Sequence, residues 1–182
     1  NGRPSIIDES ILPPLTAWAR GAAGRSERLR LCFGGGGASW DEEKVLERYE
    51  LLYEAGLIEE ALRDGRVTQV RGHLGESMRF DHRRILATAI ARLRGKLKYR
   101  PVVFELMPAE FTLTELQRTV EAISGRHLHK QNFRRLVESS ELVEPTGEMT
   151  SATGGRPAAL FRFRREVMQE RHAPGLRLGV RR

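Results

Sequence analysis

Two amphipathic segments joined by the turn "SGRHL" place the strongest constraint on the fold of this chain. The first segment ends at Gly125, and its apolar residues recur at helical spacing: Leu113, Leu116, Val120 and Ile123. The second segment, "HKQNFRRLVESSELV", has the same periodicity. Residues 142–164 then have the pattern of two short strands around a loop rich in turn-forming residues. The order helix, turn, helix, hairpin predicts a winged helix-turn-helix.

The second helix has a polar side that is mainly basic. At about 100° per residue, Phe133, Leu136 and Val137 share the side that packs on the preceding helix. The opposite side and its flanks carry Lys130, Gln131, Asn132, Arg134 and Arg135, with only Glu138 as an acid. Arg and Lys donate to guanine, and Asn and Gln pair with adenine, in the major groove of DNA. We therefore predict that this helix binds DNA, and the alternative is an ordinary solvated helix face.

The loop "TSATGGRP" predicts a wing beside that helix. Gly155 permits close approach of the backbone, and Arg156 is placed to contact a phosphate or the minor groove. The alternative is an ordinary hairpin turn. Thr112 and Thr114, at the positive end of the first helix, are further candidate phosphate ligands. Thr112 also begins a capping-box pattern, which is a purely structural role.

The positive charge is concentrated in the C-terminal part of the chain. Residues 79–182 contain 21 Lys and Arg against 11 Asp and Glu, whereas residues 1–78 contain 10 against 13. Such a concentration favours a polyanionic partner, here double-stranded DNA. Cys32 is the only cysteine, which excludes an intrachain disulfide. No run approaches the roughly 18 apolar residues of a membrane span, so we expect a cytoplasmic protein that does not bind a membrane.

The N-terminal part carries weaker signals. The stretch "RLRLCF" has the pattern of a strand before four consecutive glycines. A helix over residues 40–55 is predicted from a capping box of Ser39 and Glu42 and from the apolar periodicity that follows. Another helix is predicted after Asp81, with one apolar stripe: Ile85, Ala89, Ile90, Leu93 and Leu97.

Ordered motifs between Phe80 and about Arg164 closely resemble one known family. These motifs are "FDH", "LKY", "FELMP", "FTLTELQ", "NFRR" and "GGRP". They resemble the C-terminal winged-helix domain of the Nudix-related transcriptional regulators of NAD metabolism (NrtR), and among them the NadQ-like branch. The resemblance implies a homodimer that binds operator DNA and represses genes of NAD biosynthesis or salvage. It also implies DNA contacts by Lys130, Asn132, Arg134, Arg135 and Arg156.

The same resemblance implies an N-terminal sensor of a metabolite such as ADP-ribose, NAD or ATP, and no required cofactor. A Nudix box aligns with this chain only in degenerate form, from Gly35 to Leu57. It keeps the carboxylates of Glu50 and Glu54, but Tyr49 replaces the arginine of the box and Tyr53 replaces one metal-binding glutamate. Because two carboxylates hold Mg²⁺ poorly, we expect no metal site and no enzymatic activity.

The predicted fold is mainly α with a small β-hairpin. We expect residues 1–78 to form a helical linker or a diverged or truncated Nudix remnant, residues 79–165 the winged helix-turn-helix, and residues 166–182 a flexible basic tail. The predicted function is sequence-specific transcriptional repression. The alternatives are a Nudix-type hydrolase of ADP-ribose-like nucleotides, with metal at Glu50 and Glu54, and a winged-helix module that binds protein or RNA.

Overall fold

Helices account for most of the structure, and a two-stranded antiparallel sheet accompanies them. The structure is a computed structural model that describes residues 4–70, 74–151, 157–170 and 175–176. The chain divides into two units, Asn1–Ala91 and Arg92–Arg182. The predicted fold class, mainly α with a small hairpin, is confirmed. The predicted domain limits, 1–78, 79–165 and 166–182, remain a prediction.

The N-terminal unit consists of short helices. A π-helical turn, Ile7–Ile11, leads into α1, Leu12–Ala19, and three further helices follow: α2, Ala23–Phe33; α3, Val45–Glu54; and α4, Glu59–Arg63. Two prolines lie in the first turn of α1, where a missing backbone N–H costs least. The largest buried side chains of this unit are Leu15, Phe33, Leu51, Leu57 and Ile58.

One N-terminal prediction is wrong, and another, the helix over residues 40–55, is confirmed except for its start. The stretch "RLRLCF" is part of α2 and not a strand, because Leu29, Cys32 and Phe33 are buried at helical spacing. α3 begins at Val45, and its N-cap Lys44 has no side-chain cap, so the capping box at Ser39 does not form. The guanidinium of Arg48 donates to the carbonyl oxygens of Cys32 and Asp41 and lies 3.6 Å from the ring centroid of Trp40. These contacts hold the chain before α3 outside the helix.

The helix α5, His82–Lys96, contains the division between the two units. Of its predicted apolar stripe, only Leu97 is buried, at 2% exposed, and this residue follows the last residue of α5. Ile85 is 56% exposed and Leu86 is 49% exposed. An apolar surface therefore remains open on the first half of α5.

The C-terminal unit contains the predicted helix-turn-helix and hairpin. A 3₁₀ turn, Val102–Leu106, precedes the two helices α6, Leu113–Ser124, and α7, Lys130–Ser140. The hairpin that follows consists of β1, Val143–Thr150, and β2, Ala158–Phe163. A short helix, α8, Val167–Glu170, comes after the hairpin. Gly125 ends α6 at a φ of 70°, a left-handed conformation that glycine adopts without steric cost. None of the described helices is long and apolar enough to cross a bilayer.

One hydrophobic core joins these elements. Leu116 and Val120 of α6, Phe133 and Val137 of α7, and Leu142 before β1 are all buried in it. The strands pair in antiparallel register from Val143 opposite Phe163 to Thr150 opposite Ala158, with an irregularity between Pro145 and Met149. Phe111 also pairs with Phe161 through two backbone hydrogen bonds of 3.0 and 2.8 Å, which attach the start of α6 to the sheet.

The segment predicted as a flexible tail also contributes to this core. Val167 at the start of α8 is fully buried, and Leu176 is 1% exposed. Both belong to the cluster that contains α6 and α7. The described part of residues 166–182 therefore packs on the unit, because it supplies apolar side chains that the periodicity of so short a segment does not reveal.

The capping box of α6 provides a direct test of the contacts that begin this helix. Thr112 Oγ1 accepts from the backbone N–H of Glu115 at 3.2 Å, and the Glu115 carboxylate accepts from the backbone N–H of Thr112 at 2.7 Å. We expect Thr112→Ala to lower the free energy of unfolding by about 1 kcal/mol, measured by urea denaturation. Thr119→Ala, in the interior of the same helix, is the matched control and should change it by less than about half that amount. Equal losses in the two variants would contradict the capping role.

Candidate nucleic-acid interface

The polar side of α7 is open to solvent. Lys130, Gln131, Asn132, Arg134 and Arg135 are all exposed, and none of their side chains has a hydrogen bond or ion pair with another described residue. On the opposite side, Phe133 is 2% exposed and Val137 is fully buried. This burial fixes the rotation of the helix about its axis. The predicted candidates are therefore brought together on one accessible face.

The first turn of α7 presents three of these side chains, spread over about 200° of its exposed side. His129 is the N-cap residue, in an extended conformation and without a side-chain cap. Lys130, Gln131 and Asn132 follow it directly. In helix-turn-helix domains the N-terminal residues of the second helix reach the base edges of the major groove. The position of Lys130, Gln131 and Asn132 in the first turn of α7 is thus suited to contacts with base edges.

A network of hydrogen bonds holds the turn between α6 and α7. The Glu121 carboxylate accepts from the backbone N–H of Leu128 at 2.7 Å and from the amide of Gln117 at 3.2 Å, and His127 Nδ1 lies 3.2 Å from the same carboxylate. Gln117 also donates to the carbonyl oxygen of Leu128 at 2.9 Å. The backbone hydrogen bond from Leu128 is the main cause that holds the pKa of Glu121 below its usual value.

Glu121 and Gln117 are the residues that the sequence analysis missed. Their spacing of four residues on α6 is a signal for a side-chain pair, but it does not reveal that both bind the backbone of the next turn. Arg94 of α5 forms a further hydrogen bond to the C-terminal end of α6, in which its Nε donates to the carbonyl oxygen of Ile123 at 2.9 Å. Together these bonds set the position from which α7 begins.

The two candidate threonines differ in accessibility. Thr112 is 2% exposed, and its hydroxyl donates to the Glu115 carboxylate at 2.9 Å. Thr114 is half-buried, and its hydroxyl has no hydrogen bond among the described residues. The hydroxyl of Thr112 is thus engaged in the cap, whereas that of Thr114 is available at the start of α6.

Two contacts hold the strands on either side of the predicted wing loop. Arg162 of β2 forms an ion pair with Glu144 of β1 at 2.6 Å, which joins the two strands on their exposed side. Phe163 stacks on Phe104 with ring centroids 4.5 Å apart and anchors the other side of β2. The remaining wing candidates, Gly155 and Arg156, lie outside the described residues.

The two carboxylates considered as metal ligands both form ion pairs. Glu50 lies 3.0 Å from Arg84 Nε, and Glu54 accepts two hydrogen bonds of 2.7 Å from Arg28. The hydrogen bonds from Arg28 are also the main cause of the lowered pKa of Glu54. Among the residues that the structure describes, no group of three His, Cys, Asp or Glu side chains could hold a metal ion.

The packing of α6, α7 and the β1–β2 hairpin, with a basic exposed face on α7, defines a winged helix-turn-helix domain. Residues 103–163 match the family model of the NrtR DNA-binding winged helix domain. This segment of the chain is therefore a winged-helix domain of the NrtR family, and the resemblance found in the sequence is confirmed.

The chain is also similar to individual proteins. The chain is 46% identical over 84 residues to the ADPR responsive transcriptional repressor NtrR of Acinetobacter baylyi, a match that covers 46% of this chain and 33% of that protein. The chain thus spans about a third of the length of this curated relative. Crystal structures of NrtR from Shewanella oneidensis are 32% identical; the complex with a 27mer DNA has a TM-score of 0.44 and covers 51% of this chain and 42% of that one. The structure without DNA has a TM-score of 0.42 and covers 50% and 40%.

The hydrogen bonds of Glu121 predict how stability depends on pH. Because folding lowers the pKa of Glu121, its contribution is present above the unfolded pKa of 4.5 and is lost as the pH falls through the folded value. We expect Glu121→Gln to lower the free energy of unfolding at pH 7 by roughly 1 kcal/mol, and the difference from the parent chain to shrink as the pH falls below 4.5. Denaturation with urea across this pH range measures the effect. Glu105→Gln, an exposed control, should leave the pH profile unchanged, and a Glu121→Gln profile parallel to that of the parent would refute the role of the charge.

Proposed function

We propose that this chain is a sequence-specific DNA-binding transcriptional repressor. The observation that carries the proposal is the open, mainly basic face of α7 in a winged-helix domain of the NrtR family. A face of this kind has few intramolecular contacts to lose when it enters the major groove. Its cationic side chains also gain from the release of counterions bound to DNA.

Each candidate residue has a role in the proposed complex. Lys130, Gln131 and Asn132 reach base edges from the first turn of α7, and Arg134 and Arg135 extend the contact by one turn. Thr114 at the start of α6 and Gly155 and Arg156 of the wing contact the sugar-phosphate backbone. Thr112 supports these contacts by capping α6.

The proposed effector is taken from the relative, and the proposed regulated genes are taken from the family resemblance. The Acinetobacter baylyi protein is described as responsive to ADPR and as a repressor. By analogy, we assign this protein to the control of NAD biosynthesis or salvage genes, with ADP-ribose or a related adenine nucleotide, such as NAD or ATP, as effector. Addition of ADP-ribose to the DNA complex, followed by fluorescence anisotropy, tests this part of the proposal separately from DNA binding.

A homodimer is the proposed assembly, because a single winged-helix domain contacts too few base pairs to define a specific site. The exposed apolar side chains of α5 support a contact between two copies: Ile85 and Leu86 are about half exposed, and contiguous apolar surface of this kind is common at interfaces.

No catalytic step is assigned to the chain. Glu50 and Glu54, which a Nudix-type hydrolase would need for its metal, are paired with guanidinium groups.

Selection of bound duplexes from a random pool tests DNA binding and two-fold symmetry together. We expect the selected sequences to converge on a palindrome whose half-sites lie about 10 base pairs apart, or a multiple of this spacing. Sedimentation of the complex should then give two chains per duplex. A pool that does not converge would refute sequence-specific binding and would favour the alternative of a module that binds protein or RNA.

Replacement of Arg134 separates base recognition from general charge. We expect Arg134→Ala to weaken binding to the selected site by about 1–3 kcal/mol and binding to random duplex much less, because a bidentate contact to a base is lost. Arg100→Ala removes the same charge from an exposed residue before α6 and serves as the matched control. Equal losses for the two variants on both duplexes would mean that Arg134 contributes only charge.

A further inference from the structure

A cleft of about 480 Å³ lies within the N-terminal unit, between α3, α4 and the start of α5. We propose that this cleft binds a small organic cation, an ammonium or guanidinium group with N–H donors on an apolar body. Its volume falls in the range of about 300–1,000 Å³ that is typical of sites for small molecules. The proposed site concerns residues 49–84 alone and does not depend on DNA binding.

The first argument is a buried carboxylate oxygen that lacks a partner. Glu60 lines the cleft and is 3% exposed. Its Oε1 accepts from Arg83 Nε at 2.9 Å, but its Oε2 has no hydrogen-bond partner among the described residues. A buried acceptor without a partner is costly, and native proteins seldom leave one. An N–H or O–H group of a ligand in the cleft would satisfy this oxygen.

The second argument is the aromatic lining. Tyr49 and Tyr53 stack with ring centroids 6.3 Å apart, and Phe80 completes the set of rings that line the cleft. Phe80 is 71% exposed and has a φ of 48°, which is rare for a residue other than glycine. Aromatic rings beside carboxylates are the usual means by which proteins bind ammonium and guanidinium groups.

The third argument is the balance of charge. Four carboxylates line the cleft, those of Glu50, Glu60, Asp64 and Asp81, against the guanidinium groups of Arg63 and Arg84. Burial, followed by the charge of Glu60, raises the pKa of Tyr49 to about 12, so this phenol stays neutral and adds no further negative charge. Glu50 and Glu60 are paired with Arg84 and Arg83, which leaves Asp64 and Asp81 of the lining against Arg63, a small excess of negative charge that favours a cation.

Both arginines of the lining are already engaged. Arg84 pairs with Glu50 at 3.0 Å, and Arg63 donates to the carbonyl oxygens of Met78, at 2.7 Å, and Phe80. A phosphate group would find few free donors and several carboxylates. The cleft is thus unsuited to an anionic nucleotide, so the site is distinct from that of the effector proposed above.

Titration of the full chain without DNA, followed by ¹H–¹⁵N NMR, tests the site. The probes are benzylammonium and agmatine, with benzyl alcohol as the neutral analogue and ADP-ribose as the anionic one. We expect at least one of the two cations to shift the amide signals around Tyr49, Tyr53 and Phe80 in a saturable manner. Benzyl alcohol and ADP-ribose should leave those signals in place.

Two substitutions and one control assign the effect to the cleft. We expect Glu60→Gln to weaken binding of the cation roughly tenfold or more, because a charge-assisted hydrogen bond is lost. Asp81→Asn removes an exposed carboxylate at the rim of the cleft and should also weaken binding of the cation. If Glu60→Gln does not fold, the affinity of Asp81→Asn for the cation tests the site instead. Glu47→Gln, on α3 but outside the lining, should bind as the parent chain does.

The proposal is overturned if neither cation binds, if binding is equal in the parent chain, Glu60→Gln and Asp81→Asn, or if ADP-ribose shifts the same signals in place of the cations. Because these measurements contain no DNA, their outcome is independent of the proposed repressor function.

Discussion

The packing of α7 against α6 is the interaction on which the C-terminal unit depends. Phe133 and Val137 are buried in one cluster with Leu116 and Val120, and this cluster also holds Leu142 and Val167. Because the apolar side of α7 can face only this core, its polar side must face outward. The position of every candidate DNA contact on α7 thus follows from the burial of Phe133 and Val137, and the candidate side chains themselves are not part of the core.

Polar groups then set the details that the apolar core leaves open. The capping box of Thr112 and Glu115 determines where α6 begins, and Glu121 binds the backbone of the turn before α7. Backbone pairing of Phe111 with Phe161 attaches the same helix to the hairpin. Each of these groups satisfies a backbone donor or acceptor, and together they position α6, α7 and the hairpin.

The C-terminal elements were predictable because their signals are local. A capping box, a helical period and a glycine stop lie within the fourteen residues from Thr112 to Gly125. The start of α3 was not predictable, because Arg48 reaches back sixteen residues to the carbonyl oxygen of Cys32 and cancels the local preference of Ser39. The strand expected at "RLRLCF" failed for a related reason: a short apolar run suits either structure, and here its burial pattern in three dimensions is helical.

The sequence by itself determined the class of the C-terminal domain and the identity of its polar face, since periodicity and side-chain chemistry are properties of neighbouring residues. Only the tertiary structure decided which charged groups are available. Glu54 pairs with Arg28, Glu50 with Arg84 and Glu60 with Arg83, whereas Arg134 and Arg135 remain open. The partners in these ion pairs are 23 to 34 residues apart. Whether a charge is neutralised, or a buried oxygen such as Glu60 Oε2 is left without a donor, depends on distances in space that no local pattern encodes.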